Sequence, residues 1–220
     1  MLFTVKTTGV STMMPNLMKF TFNFSYKNVN YNQVVEDTAK KIVNFYKAME
    51  KYAKPTDFKT LRYRVSRETK RIEKGRNDYE YVFSHYQSYQ TVHLSLPYDK
   101  IILFAIMQMV SEMGDDAPAF DFSFGLTNES IAELENDCTE KALLLAKEKA
   151  EATRKSLGFQ TVAYKSASIV ESFETDRFLR SEMSYECARS CKMAAKEMAE
   201  SMEPEDVRVS INVISEFDIV

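Results

Sequence analysis

A strict alternation of apolar and polar residues near the start of the chain constrains its fold more than any other feature. From residue 18 to residue 26 every second residue is large and apolar, and the residues between are polar or charged. The apolar residues are Met18, Phe20, Phe22, Phe24 and Tyr26. Successive side chains of a β-strand point to opposite faces, so the alternation predicts a strand with one face buried in a core.

The same alternation predicts further strands. They cover residues 2–9, 119–124, 159–170 and 207–219. Two longer strands, at 58–72 and about 79–96, flank the turn signal at 75–78 and should pair as a hairpin. The apolar parity of the second long strand changes along its length, and one bulge near residues 84–88 would reconcile its two halves.

Three segments have the periodicity of amphipathic helices. The first follows Asn30, a predicted N-cap, and its apolar stripe is Val35, Ala39, Ile42, Tyr46 and Met49. The second opens at Pro97 and ends at Gly114. The third and longest, 129–157, lies between the predicted N-cap Asn128 and Gly158. Its apolar stripe is Ile131, Leu134, Cys138, Ala142, Leu145 and Ala152.

The resulting order is β-β-α-β-β-α-β-α-β, then an insertion and a final β-strand. Residues 17–124 alone read β-α-β-β-α-β, the split βαβ or ferredoxin-like arrangement. We therefore predict an α+β fold: a ferredoxin-like split β-α-β core with a long hairpin, an added long helix and two further C-terminal strands. The whole chain, 1–220, is predicted to be one domain, with a charged helical or disordered insertion at about 173–205.

Several strings resemble those of the SIMPL-domain family of bacterial proteins. Residues 122–128 are similar to the family's strand that ends in Phe-Gly-Leu-Ser/Thr-Asn/Asp before a long helix. Residues 141–158 resemble its Ala/Lys-rich helix ending in Leu-Gly, and 204–219 its last strand. His85-Tyr86 stands where the family usually has Gly-Tyr. The family includes periplasmic antigens and proteins of oxidative-stress defence, and some members assemble into closed rings.

The resemblance implies a non-enzymatic, self-associating protein of unknown molecular role, linked to stress or cell-envelope physiology. It carries over no catalytic residues. The residues themselves agree, because no nucleophile elbow or phosphate-binding glycine motif is present. His85 and His93, the only histidines, are separated by roughly 26 Å of strand. We predict no catalytic, cofactor-binding or metal-binding residues, and no cofactor.

The number of cysteines, the length of the apolar runs and the first residues together predict the compartment. Cys138, Cys187 and Cys191 are too few for a disulfide framework. Cys187 and Cys191 are four residues apart, so a helix would place them on one face, as a metal-binding or cross-linking pair or as small apolar fillers. No run is long enough for a membrane span, and the first residues lack a signal peptide. We predict a cytoplasmic protein, or a periplasmic or envelope protein if a leader has been removed.

The sharpest charge feature is a basic segment on the predicted hairpin. Residues 59–76 carry eight basic and two acidic side chains, a net +6, so the rest of the chain carries −9. The following strand is rich in aromatic residues. The candidate interaction surface is Arg62, Arg64, Arg67, Lys70, Arg71, Tyr81, Phe83 and Tyr86.

Two partners fit that surface. A second copy of the chain could supply the acidic counterpart, which predicts a homo-oligomer. Alternatively, basic side chains with stackable aromatic rings on a ferredoxin-like sheet could make residues 59–89 a single-stranded RNA-binding module. The RNP1 motif of RNA-recognition domains is absent, and we favour the homo-oligomer.

Overall fold

A computed structural model of the protein describes residues 1–75, 78–175, 179–181 and 204–220. The strands are β1 (Leu2–Met13), β2 (Leu17–Asn28), β3 (Phe58–Gly75), β4 (Asp78–Pro97), β5 (Ala119–Gly125), β6 (Val162–Thr175), β7 (Leu179–Ser181) and β8 (Val207–Ile219). The helices are α1 (Tyr31–Met49), α2 (Lys100–Glu112) and α3 (Asn128–Leu157). The predicted α+β fold and element order are confirmed. Short β7 lies within the predicted insertion, most of which is outside the described residues.

The first sheet has the predicted ferredoxin-like connectivity. Its antiparallel strands lie in the order β3-β4-β2-β5-β7. Strands β2 and β3, which α1 joins along the chain, are separated by β4, and this separation defines a split βαβ unit. The strand alternation seen at residues 18–26 is confirmed, because all four apolar residues from Met18 to Phe24 on this face are buried.

Aromatic side chains form much of the core beneath this sheet. Phe22 lies 5.9 Å from Phe20 and 4.6 Å from Phe45 of α1, measured between ring centroids. The predicted stripe of α1 is partly wrong, because its buried residues are Val34, Thr38, Ile42, Phe45 and Met49. Thr38 can be buried because its hydroxyl donates to the Val34 carbonyl at 2.6 Å.

Two predicted helix starts are also wrong. Asp99, not Pro97, precedes α2, and its carboxylate accepts from the Ile101 backbone N–H at 2.7 Å. Thr127, not Asn128, is the N-cap of α3, and its hydroxyl accepts from the Ser130 N–H at 3.3 Å. The predicted end of α3 is confirmed, because Gly158 adopts the left-handed conformation with φ 73°.

The second sheet has the order β1-β8-β6 and is antiparallel. Helix α3 lies over β1 and β8. Its buried residues are Ser130, Leu134, Cys138, Ala142, Ala146 and Ala150. Leu145 and Ala152, which the sequence placed on the buried stripe, are exposed, because the helix turns the row that contains Ala142, Ala146 and Ala150 toward the sheet.

Backbone contacts group the chain into two compact units. One holds Met1–Asn16, Phe124–Leu179 and Pro204–Val220, and the other is built around Leu17–Ser123. The first therefore contains the β1-β8-β6 sheet with α3, and the second contains the ferredoxin-like elements. Within the described ranges, no helix is both long and apolar enough to cross a membrane.

Candidate interaction surface

The candidate surface lies on the hairpin of β3 and β4, the two longest strands. Strand β3 has 18 residues and β4 has 20, whereas about 5–6 residues is usual. Their pairing runs from Phe58 opposite Leu94 to Gly75 opposite Asp78. Strand β3 is at the edge of the sheet and is exposed along most of its length. The predicted hairpin is confirmed. Within the described residues, β3 pairs with β4 on one side and with no strand on the other.

A bulge in β4 sets which side chains share a face. Glu68 pairs with His85 and Thr69 pairs with Phe83, so Ser84 is an extra residue in β4. This confirms the bulge predicted near residues 84–88. Because of it, Phe83 and Tyr86 lie on the same face of the hairpin although they are three positions apart, an odd spacing that would otherwise place them on opposite faces.

The register divides the eight predicted surface residues between two faces. We call the face on which α1 packs the helix-side face, and the opposite one the open face. Ser88 marks the helix-side face, because its buried hydroxyl hydrogen-bonds to Thr38 of α1. Counting from the pair Val65–Ser88, the helix-side face carries Arg67, Arg71, Tyr81, Phe83 and Tyr86, and the open face carries Arg62, Arg64 and Lys70.

On the helix-side face, cations and aromatic rings form a column with contacts at two levels. The Arg67 guanidinium lies 5.3 Å from the ring centroid of Phe83, whose ring is 5.1 Å from that of Tyr86. Nearer the turn, the Arg71 guanidinium lies 3.2 Å from the ring centroid of Tyr79. Each such cation–π contact contributes about 0.5–1 kcal/mol at an exposed site. Tyr81 is 69% exposed. This column offers a partner flat aromatic surfaces and preoriented guanidinium groups.

Tyr31 extends the column and was not among the predicted surface residues. Its ring meets that of Tyr86 edge to face, with 5.5 Å between centroids. Tyr31 is the first residue of α1 and lies far from the hairpin in sequence. No local pattern signals this contact, which depends on how α1 packs against the sheet.

The open face gathers more cations than the sequence indicated. Lys59 lies on it with Arg62 and Arg64, because Lys59 is opposite His93 and Arg64 is opposite Tyr89. Lys19 and Lys27 join it from β2. Partial burial lowers the pKa of Lys19 from its usual value. The β2 lysines are distant from the basic segment in sequence, so only the strand pairing reveals them.

Each of the two histidines of β4 has a hydroxyl group within hydrogen-bond distance of its imidazole ring. His93 Nε2 is 3.0 Å from Thr21 Oγ1, and His85 Nδ1 is 2.9 Å from Ser84 Oγ. His85 Nε2 is buried and has no hydrogen-bond partner within the described parts of the chain. Among those same residues, no group of three or more His, Cys, Asp or Glu side chains could hold a metal ion.

Cys138 is the cysteine that the structure places. It is free and fully buried, and its thiol donates to the Val209 carbonyl at 3.3 Å. Burial raises the pKa of the Cys138 thiol. Its predicted position on the buried stripe of the long helix is confirmed. Cys187 and Cys191 lie outside the described residues.

A comparison with family models identifies the chain. The model for SIMPL, a protein of unknown function (DUF541), matches residues 3–217. The chain belongs to the SIMPL family. The match spans both sheets, the long hairpin and α3, so the resemblance seen at residues 122–128 and 141–158 extends over nearly the whole SIMPL chain. No curated protein matches the sequence.

Proposed function

We propose that this SIMPL-family protein is a self-associating binding protein without catalytic activity, and that the β3–β4 hairpin joins one copy to another. The observation that carries the proposal is the exposed column of arginine and aromatic side chains on the helix-side face. Tyr81 is 69% exposed and Tyr79 41% exposed. Exposed apolar surface of this kind, next to a sheet edge, is typical of an interaction site.

The length of the hairpin supports an intermolecular contact. A two-stranded ribbon is marginally stable by itself and gains stability when a partner covers it. Exposed apolar side chains continue toward the turn on both faces, with Ile72 39% exposed on the open face. A partner that covers this region would remove apolar surface from water without any change in the packing of the core.

The charge distribution favours a second copy as the partner. The basic segment 59–76 carries +6 and the rest of the chain −9. Opposite charges on different parts of one molecule attract two copies head to tail. A head-to-tail contact generates a closed ring when the rotation between copies closes, and a filament when it does not.

The side chains of the surface suit binding better than catalysis. A nucleophilic mechanism needs a hydroxyl or thiol, a base, and a group that orients the base. Within the described residues, no carboxylate hydrogen-bonds to either hairpin imidazole. The arginines instead contact aromatic rings, an arrangement that presents surface to a partner.

A charge reversal on the hairpin tests the proposal. Replacing Arg67 and Arg71, the two arginines of the column, with Glu should lower the mass in solution, measured by light scattering, while circular dichroism shows an unchanged fold. The matched control replaces the exposed Lys51 and Lys155 with Glu, which makes the same change in net charge elsewhere. The proposal is wrong if the wild type is a monomer, or if the hairpin variant keeps the wild-type mass at both low and moderate salt.

The open face supports a second candidate, binding of single-stranded RNA. It gathers Lys19, Lys27 and Lys59 around Arg62 and Arg64 on the exposed side of a ferredoxin-like sheet. Against this candidate, Tyr81, Phe83 and Tyr86 lie on the other face, where they cannot stack on bases held by these cations. Binding to an oligouridine that weakens steeply with salt would support it. No retention on the oligonucleotide at low salt would exclude it.

The physiological setting follows only from the family resemblance. A link to stress or cell-envelope physiology, and the compartment in which the protein acts, therefore stay predictions. Self-association can be tested on the purified protein, whichever compartment it acts in.

A further inference from the structure

Strand β1 forms an edge of the second sheet and runs without a bulge. It pairs with β8 from Leu2 opposite Asp218 to Met13 opposite Val207, and no register shift interrupts the twelve pairs. Within the described residues, no strand lies on its other side. Six of its residues are β-branched, and its one charged residue is Lys6. Every second residue of such an edge directs its backbone N–H and C=O groups away from the sheet, so the edge can pair with another strand.

The other edges of the two described sheets carry features that discourage pairing. Strand β3 has three register shifts and is rich in lysine and arginine, and β6 has two register shifts. Strand β7 has three residues. Bulges, lysine side chains and short length are the usual protections of a sheet edge. Apart from its one lysine, β1 has none of them, and an unprotected edge of this length is typical of a strand that pairs with another chain.

Helix α3 adds a second observation at the same edge. Its residues Lys141, Leu145, Glu148 and Ala152 are spaced like the seam of packed helices, and all four are exposed. Lys141 Nζ lies 3.0 Å from the Ser11 hydroxyl oxygen of β1, so this row is on the β1 side of the helix. Leu145 is 42% exposed. The sheet of one copy therefore leaves uncovered two residues that the sequence placed on the apolar stripe.

We propose that β1 pairs antiparallel with β1 of a second copy around a two-fold axis, and that the two α3 helices pack on each other beside this junction. The strands form one six-stranded sheet in the order β6-β8-β1-β1-β8-β6, with both helices on the same face. A strand that pairs antiparallel with its own copy makes an isologous contact, which closes at two copies. This contact is separate from the proposed hairpin contact and uses none of its residues.

Hydrogen-bond directions restrict the register of this junction. Met1 and Ile219 exchange both of their backbone hydrogen bonds, at 2.8 and 2.9 Å. The odd-numbered residues of β1 therefore bond to β8, and the backbone groups of the even-numbered residues point outward. Hydrogen-bonded pairs across the axis must join even to even, so the longest overlaps are centred on Thr7 or on Thr8. Neither register places Lys6 opposite its own copy.

The position of α3 agrees with this axis. The Thr7 hydroxyl donates to the Ala142 carbonyl at 2.8 Å, so Leu145, within one turn of Ala142, lies near the axis. Neighbouring strands are about 4.8 Å apart and α3 lies over β1 and β8, so the two helix axes are roughly 10 Å apart, close to the spacing of packed helices. Antiparallel helices that meet at Leu145 bring Lys141 of one copy toward Glu148 of the other. The row is therefore complementary to itself in charge as well as in shape.

Substitutions on α3, made in the hairpin variant, test the inference. The hairpin variant, Arg67→Glu with Arg71→Glu, should remain a dimer by light scattering, because its β1 edge is intact. Adding Leu145→Glu should halve that mass to a monomer, since the two helices would bury carboxylates against each other. The matched control adds Leu144→Glu, which changes the neighbouring exposed leucine on the β6 side of α3 and should keep the dimer.

A second substitution tests the strand itself. Val10→Pro removes an outward N–H without breaking a hydrogen bond to β8, so it should also give a monomer in the hairpin variant, with unchanged circular dichroism. Val10→Thr keeps the N–H and is the control. Hydrogen exchange, followed residue by residue, should show the amides of Thr4, Lys6 and Thr8 protected in the dimer and exchanging rapidly in the Leu145→Glu monomer.

The outcomes separate this inference from the proposed function. If the hairpin variant is a monomer, the inference is wrong and the proposed function stands. If the hairpin variant keeps the wild-type mass and Leu145→Glu dissociates it, the proposed function is wrong and the inference stands. If neither added substitution dissociates the dimer, or if the even-numbered β1 amides exchange rapidly in it, the inference is wrong. A monomeric wild type would overturn both.

Discussion

A single glycine allows α3 to lie directly on the second sheet. Gly9 of β1 faces the helix, and a Cβ built there would overlap the Cys138 carbonyl oxygen and lie 2.9 Å from the Ala142 nitrogen. The sequence placed the end of the first strand at Gly9, whereas β1 continues to Met13. The glycine is needed for the close approach of the β1 and α3 backbones, and it does not end the strand.

We expect Gly9→Ala to be strongly destabilising. The added methyl group meets backbone atoms of α3, which cannot rotate away, so the cost should reach or exceed the upper end of the about 1–3 kcal/mol typical of overpacking. Urea unfolding monitored by circular dichroism measures it. Gly75→Ala is the matched control, because a Cβ there meets nothing within 4 Å. Equal stability of the two variants would contradict the packing described here.

A second residue-scale prediction concerns Asp137, whose carboxylate joins α3 to β1. It accepts hydrogen bonds from Lys141 Nζ at 2.7 Å and from the Ser11 hydroxyl. The hydrogen bond from Lys141, and then that from Ser11, lower the pKa of Asp137 below its usual value. A lowered pKa in the folded state stabilises the protein above the unfolded pKa, about 3.9, and this contribution is lost as pH falls through the folded value.

Asp137→Asn should therefore be less stable than the wild type at pH 7, and the difference should shrink below about pH 4. The effect should be modest, because the side chain is 46% exposed and solvent screens the pair. Urea midpoints at pH 7 and pH 3 measure it. Asp218→Asn, which neutralises an exposed carboxylate of β8, is the control. A difference that stays constant with pH would show that the carboxylate charge does not matter.

At the scale of elements, two neighbouring polar residues at the start of α3 have different roles. Thr127 caps the helix through its hydroxyl, and Asn128 is already the first helical residue. Thr127→Ala should lower the free energy of unfolding by about 1 kcal/mol, whereas Asn128→Ala should have little effect. Thermal or urea unfolding of both variants checks this. If Asn128→Ala lost more unfolding free energy than Thr127→Ala, Asn128 would be the N-cap, as the sequence predicted.

At the scale of the whole molecule, the separation of charge predicts how association responds to salt. The proposed association would bring the hairpin segment 59–76, at +6, against another copy whose remaining residues carry −9. Raising the salt from about 0.05 M to about 0.5 M shortens the Debye length from more than 10 Å to less than 5 Å. The mean mass from light scattering should fall over that range. Association that strengthens with salt would mean that apolar contacts dominate and that charge does not orient the copies.

The sequence by itself determined the element types, their order, the β4 bulge and the membership in the SIMPL family. These features depend on short-range periodicity, which is 2 for a strand and 3.6 for a helix, and on local breaks such as Gly158. The alternating phenylalanines of β2 and β5 are buried as predicted, because a strand has only two faces and one of them is apolar.

Only the tertiary structure decided which row of a helix is buried and which residues share a surface. In α1 the buried row includes Thr38 and Phe45, not Ala39 and Tyr46, because the rotation of a helix is set by the sheet it packs on. The predicted interaction surface divides between two faces for a similar reason. Strand register, fixed by pairing between distant residues, places Arg62 and Arg67 on opposite sides of one hairpin.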